Sequence, residues 1–186
     1  MILAEPVRVI AELARDLEVL GRSYMVGGSV ASSIHGVPRT TYDVDIVADL
    51  TMDDVDGLVD RIQERFYVDA DAARTAIRRK KSFNLIHLET MLKVDVFAIR
   101  DGLAAKRAFE RRQRVDLGRE SLLIASPEDI IVEKLRWYRL GDEVSERQWR
   151  DALGVLATNG LDEGYLTDQA AEVGVVDLLQ RLWKAL

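Results

Sequence analysis

Three aspartates stand where a strand needs a reason to carry them. Asp43 and Asp45 sit in "DVDIV". Residues two apart on a strand point to the same side, with Cα atoms about 6.6 Å apart. Val44 and Ile46 point the other way, as core residues do. Two carboxylates on one face repel each other and need water, a cation or a basic partner. Asp95 stands inside the apolar run "LKVDVFAI", where an acid is costly unless it is paired or belongs to a site. Lys93, two residues earlier on the same face, is a candidate partner, so a purely structural pairing stays open. If the strand of Asp95 lies beside that of Asp45, the three carboxylates converge. They then offer hard oxygen donors of the kind that bind magnesium or manganese.

Upstream, "SYMVGGSVASSIH" reads as a buried strand, a glycine pair and a short helix. Glycine lets the backbone turn sharply and lets a ligand come close. The first helical turn leaves N–H groups unpaired and favours an anion. Gly27, Gly28 and the Ser29 hydroxyl therefore form a candidate phosphate cradle. By itself the same string also suits a tight strand-to-helix turn. It is neither a P-loop nor the dinucleotide fingerprint of three spaced glycines.

The surrounding elements must hold these residues together. Apolar spacing predicts a helix over Pro6 to Leu20, and another over "TMDDVDGLVDRIQERF" with Phe66 on its apolar face. "DADAARTAIRRKK" is a third helical stretch. "SFNLIHL" and "LKVDVFAI" read as strands joined near Glu89 and Thr90. "AAKRAFERRQRV" reads as a helix or an irregular basic segment, and "SLLIA" as a strand. "SPEDIIVEKLRWYRLG" opens with a capping serine, a proline at the first helical position and an acid three residues after the cap. Three further helical patterns follow. The expected organisation is a mixed α/β part over 1–125, including the N-terminal helix, and a helical region over 126–186 packed on it.

The 186 residues suit one domain with a helical appendage, and 48% are hydrophobic, enough for a full core. A net charge of -6 gives no global attraction for nucleic acid or anionic lipid. The absence of cysteine excludes disulfides and thiolate zinc sites. The start of the chain lacks the pattern of a signal peptide, and no apolar run reaches membrane-spanning length. The expectation is a soluble cytoplasmic protein with no membrane partner. His35 reads as helix-end packing, His87 as a strand residue, and Trp137, Tyr138 and Trp149 as core. The basic runs Arg78 to Lys81 and Lys106 to Arg114 are solvated faces or surfaces for a polyanion.

Gly27-Gly28-Ser29, then Asp43-Val44-Asp45, then Asp95 resembles the signature of the DNA polymerase beta-like nucleotidyltransferase superfamily. The strings "HGVPRTTYDVDI", "ASPEDIIVEKLRWY" and "SERQWRDALGVL" resemble its uncharacterised bacterial members, related to the toxins of abortive-infection systems. The resemblance runs from about Tyr24 to Leu156. It implies an α+β fold: a nucleotidyltransferase-like mixed sheet with flanking helices, followed by a helical bundle. It also implies transfer of a nucleoside monophosphate from an NTP to a hydroxyl, with magnesium or manganese. By resemblance, Gly28 and Ser29 contact the phosphates, Asp43, Asp45 and Asp95 bind metal, and Asp95 is also the general base. Lys134 matches a lysine facing the triphosphate, and Asp151 an acid that follows it. Solvation of Lys134 and pairing of Asp151 with Arg147 are the structural alternatives. Arg39 reads equally as a phosphate contact and as the partner of an aspartate. RNA such as tRNA and a cognate antitoxin are the implied partners. The rival readings are a catalytically silent nucleotide-binding or interaction module and an antibiotic-type nucleotidyltransferase.

Overall fold

A computed structural model describes residues 4–158 and 160–186; residues 1–3, part of the N-terminal stretch read above, lie outside the described residues. Helix α1 (Ala4–Val19) precedes strand β1 (Tyr24–Val26), helix α2 (Gly28–His35) and strand β2 (Asp43–Ala48). Helix α3 (Val55–Ile62), strand β3 (Phe66–Val68), helix α4 (Ala70–Arg78) and the hairpin β4 (Ser82–His87) and β5 (Lys93–Ala98) follow. Then come helix α5 (Leu103–Glu110), strands β6 (Gln113–Asp116) and β7 (Ser121–Ile124), and helices α6 (Pro127–Leu140), α7 (Glu146–Thr158), α8 (Glu163–Glu172) and α9 (Val176–Trp183). Among the described residues the architecture is α+β: one mixed seven-stranded sheet, order β3-β4-β5-β2-β1-β7-β6, with flanking helices.

The central strands show the period-2 pattern. Val44, Ile46 and Ala48 of β2, and Val94 and Val96 of β5, are fully or almost fully buried. Asp43, Asp45, Lys93 and Asp95 alternate with them on the opposite, more open face. β2 and β5 run parallel, and β1 pairs antiparallel with β2 around α2.

Helix α6 starts as its sequence directs. The Ser126 hydroxyl accepts the Asp129 N–H at 3.2 Å and donates to the Asp129 carboxylate at 2.7 Å, with Pro127 in the first turn. Asp129 also accepts from the Tyr165 hydroxyl at 2.8 Å and from Gln169 Nε2 at 3.1 Å, which fastens α8 to the start of α6. Burial, ahead of these bonds, raises both the Asp129 carboxyl and the Tyr165 phenol above their ordinary pKa values.

Two glycines bring α2 and α7 into backbone contact. A Cβ on Gly36 would lie 2.8 Å from the Val155 nitrogen, and one on Gly154 3.3 Å from a Val37 methyl. The Thr158 hydroxyl donates to the His35 carbonyl at 2.7 Å across the same seam.

Three expectations change. Phe66 does not belong to the α3 helix, which ends at Ile62. It opens β3 opposite His87 and is fully buried, its ring 5.0 Å from the imidazole. Strand pairing with β4 overrides the helical spacing there. The basic segment after Ala104 divides into α5 and β6, an edge strand whose exposed charged residues hide its alternation. Trp137 is 45% exposed rather than core, whereas Tyr138 and Trp149 are partly buried with rings 5.3 Å apart.

Candidate active site

The three aspartates meet because β2 and β5 are neighbours in register. Asp45 lies opposite Asp95, and Asp43 opposite Lys93. Asn84 of β4 flanks Asp95 on the other side. Lys93 Nζ donates to Asp95 Oδ2 at 2.9 Å, so the structural pairing considered for Asp95 is present within the acid cluster. That bond and the charges of Asp95, Asp43 and Asp45 raise the Lys93 pKa. Burial, then the charges of Asp95 and Asp43, raise the Asp45 pKa, against the pull of Lys134 and Lys93.

Gly28 is where the cradle meets the acids. The Gly27 N–H donates to the Asp45 carbonyl at 2.9 Å, fixing the turn to β2. Gly28, at φ +55°, begins α2, and a Cβ there would sit 1.7 Å from Asp45 Oδ2. Only a residue without a side chain lets this carboxylate rest against the start of the helix. The first-turn N–H groups of α2 thus border the acid face.

A second cluster lies beside the first. Arg39 makes a bidentate pair with Asp151, Nε to Oδ1 at 3.0 Å and Nη2 to Oδ2 at 2.9 Å, and donates to Ser29 Oγ at 2.5 Å. Lys134 Nζ donates to Asp151 Oδ2 at 2.7 Å. Lys134 is 5% exposed, so it is not a solvated helix residue. Asp151 pairs with Arg39 and Lys134 rather than with Arg147. Burial lowers the Lys134 pKa despite this partner. Burial would raise the Asp151 carboxyl, but hydrogen bonds from Arg39 and Lys134 outweigh it and hold it below the ordinary range. Two cations bridged by one carboxylate leave a surplus positive charge beside Ser29.

His35 packs at the end of α2, its Nε2 2.9 Å from the Ala125 carbonyl, and His87 is buried beside Thr90. Arg78 to Lys81 are exposed at the end of α4. Arg111 and Arg112 of the second basic run are half-buried instead, Arg111 over the Tyr165 ring and Arg112 over Phe109.

Among the described residues, no group of three acids or histidines is gathered as a ready-made metal cage. The donor chemistry still suits a hard divalent cation. Asp43, Asp45 and Asp95 share one face and all donors are carboxylate oxygens; burial first, then the charges of Asp95 and Asp43, makes the ionised form of Asp45 costly without a cation. The contact of Gly28 with Asp45 and the Gly36–Gly154 seam were not read from the sequence. Gly154, inside a helical run where glycine costs about 1 kcal/mol relative to alanine, was the available signal for the seam.

No helix of the described residues is long and apolar enough to cross a membrane. No protein-family model matches the chain, and no curated protein matches it. Solved structures resemble it. An antigenic nucleotidyltransferase-like protein from Paracoccidioides brasiliensis aligns with a TM-score of 0.63 at 18% identity, over 96% of this chain and 89% of that one. A putative nucleotidyltransferase from Thermotoga maritima gives 0.56 at 18% identity, over 81% and 96%. The antibiotic-resistance factor ANT(2'')-Ia gives 0.51 at 14% identity, over 97% and 94%. At these identities the likeness is one of architecture, and the chain has the nucleotidyltransferase-like α+β fold.

Proposed function

We propose that the protein is a metal-dependent nucleotidyltransferase that moves a nucleoside monophosphate from an NTP to a hydroxyl acceptor. The observation that carries this reading is the placement of Asp45 against both Asp95 and Gly28: acids for a cation on one side, a helix start for phosphate on the other. Asp43, Asp45 and Asp95 would hold magnesium or manganese, which when bound supplies charge stabilisation to the phosphoryl oxygens. Gly27, Gly28 and Ser29 receive the phosphates through backbone N–H groups and a hydroxyl. Arg39 and Lys134 supply positive charge to the same end, and Asp151 keeps the two cations together. Asp95 accepts the proton of the attacking hydroxyl.

The acceptor we favour is an RNA hydroxyl. The exposed Arg78–Lys81 run, at the end of α4 and just before β4, offers positive charge to such a polyanion. One observation favours a second acceptor class. Asp43, Asp45, Asp95 and Lys93 together carry a formal charge of -2, which suits a cationic small molecule such as the substrates of an antibiotic-type enzyme. A role as a cytoplasmic toxin with a cognate antitoxin rests on the sequence resemblance alone.

Labelled NTPs with magnesium, offered cellular RNA in one arm and aminoglycosides in another, test these readings. Transfer by the wild type and its loss in Asp43→Ala/Asp45→Ala are expected, and the labelled product names the acceptor. Nucleotide binding without transfer in any arm is the outcome for a silent module. If no NTP binds, the proposal fails.

A further inference from the structure

Lys93 is a cation on the same strand face as the three aspartates, and it pairs with one of them. Its position follows from strand geometry. It is two residues before Asp95, so both side chains leave β5 on the same face, and the register puts it directly opposite Asp43. The ammonium therefore lies among three carboxylates, 2.9 Å from Asp95 Oδ2. Asp95 is mostly covered, its side chain 17% exposed, whereas Lys93 is 39% exposed. A long flexible stem with that much exposure can swing its charge into solvent without unpacking anything. Asp95 cannot follow it.

A cation that binds through Asp95 must take this carboxylate from Lys93. We infer that Lys93 is a built-in counter-cation of the acid cluster, which competes with a divalent metal for Asp95 and so sets the metal affinity of the site. The inference rests on the metal site proposed above. Lys93 touches no reacting atom in this scheme: it tunes how firmly the acids hold a metal. The cluster with Lys93 engaged has a formal charge of -2, and a divalent ion that displaces it meets -3. Half-occupancy thus needs a higher metal concentration than the three carboxylates alone would require.

The contrary view is an ordinary half-exposed ion pair, of the kind that contributes little. Manganese binding separates the two, read by calorimetry or by the electron paramagnetic resonance of free manganese, with no turnover needed. Lys93→Met keeps the stem and removes the charge. Removing a like charge beside the ligands should tighten manganese by on the order of tenfold, judged from the one to three pKa units that such a neighbour moves a carboxylate. Lys93→Arg keeps the charge and should stay close to wild type. In EDTA, Lys93→Met should melt below the wild type, and Lys93→Met/Asp95→Asn should recover most of the difference. Lys93→Gln serves as a second charge-removing variant, and far-ultraviolet circular dichroism checks the fold of each. Unchanged or weaker manganese binding by a folded Lys93→Met or Lys93→Gln overturns the inference and leaves the metal site standing. If manganese binds neither wild type nor variants, the metal site itself falls, and this inference with it.

Discussion

Gly28→Ala is the sharpest test of the link between cradle and acids. The new methyl would lie 1.7 Å from Asp45 Oδ2, half the 3.4 Å at which ordinary contact begins, and 2.5 Å from the carboxylate carbon. The backbone cannot absorb the clash, because φ at Gly28 is +55°, already unfavourable for an L side chain. Alanine in that conformation costs about 1–2 kcal/mol, and driving Asp45 off its rotamer adds about 0.5–1.5, so a loss of about 2–3 kcal/mol is expected. Urea denaturation measures it. Displacing one carboxylate of the cluster by more than 1 Å should lower pyrophosphate release from NTP on the order of 100-fold. The mechanism makes a further demand. Asp45→Ala removes the oxygen and carbon that clash and leaves only the Cβ contact at 2.9 Å. Gly28→Ala should therefore cost about 1 kcal/mol less in that background, as neighbouring sites couple. Additivity of the two changes within about 0.3–0.5 kcal/mol would refute the reasoning, since Gly28 would then matter for its own backbone alone.

Asp151→Ala leaves Lys134 buried without its carboxylate and should cost about 3–5 kcal/mol, whereas Arg39→Ala leaves the Lys134–Asp151 pair intact and should cost clearly less; chemical denaturation ranks them. Asp45→Asn should melt above the wild type at neutral pH while losing metal binding. Burial and the neighbouring acids raise the Asp45 pKa above 3.8, so its ionised form opposes folding. That opposition is absent below pH 3.8, grows as pH rises to the folded-state pKa, and stays constant above it; the calorimetric advantage of Asp45→Asn should shrink on acidification to match. Tyr165→Phe removes a hydrogen bond to the buried Asp129 carboxylate and should cost about 1–3 kcal/mol in urea denaturation, with no direct effect on nucleotide binding.

The acid face was legible because period-2 alternation survives in any half-buried strand: "DVDIV" and "KVDVF" announce which side chains share a side. That β2 and β5 are neighbours was not in either string. It depends on the order of seven strands, set by contacts distant in sequence. The fate of Lys134 and Asp151 was hidden for a related reason. A charged residue on a mixed helical face reads as solvated until the neighbouring helix is known, and α7 brings to Lys134 the carboxylate that makes its burial tolerable. Helical spacing misled at Phe66, where a ring needed by β3 fell on the phase of α3. Trp137 misled because it lies on the exposed side of α6, whereas Tyr138, the next residue, faces α7 and packs on Trp149.

The contact at Gly36 and Gly154 has a mechanical consequence. Two helices separated by side chains can slide or pivot as rotamers change. Here the last turn of α2 touches the backbone of α7, and Thr158 clasps the His35 carbonyl across the joint. Such a joint behaves as a weld. Ser29 of α2 and Asp151 of α7 stand on opposite sides of this joint, and Arg39 bridges them. Opening by the parting of α2 and α7 is closed off, and access to the acids is left to the uncovered face of the sheet. Amide exchange near the joint, around Gly154 to Leu156 late in α7, should accordingly be among the slowest in the molecule.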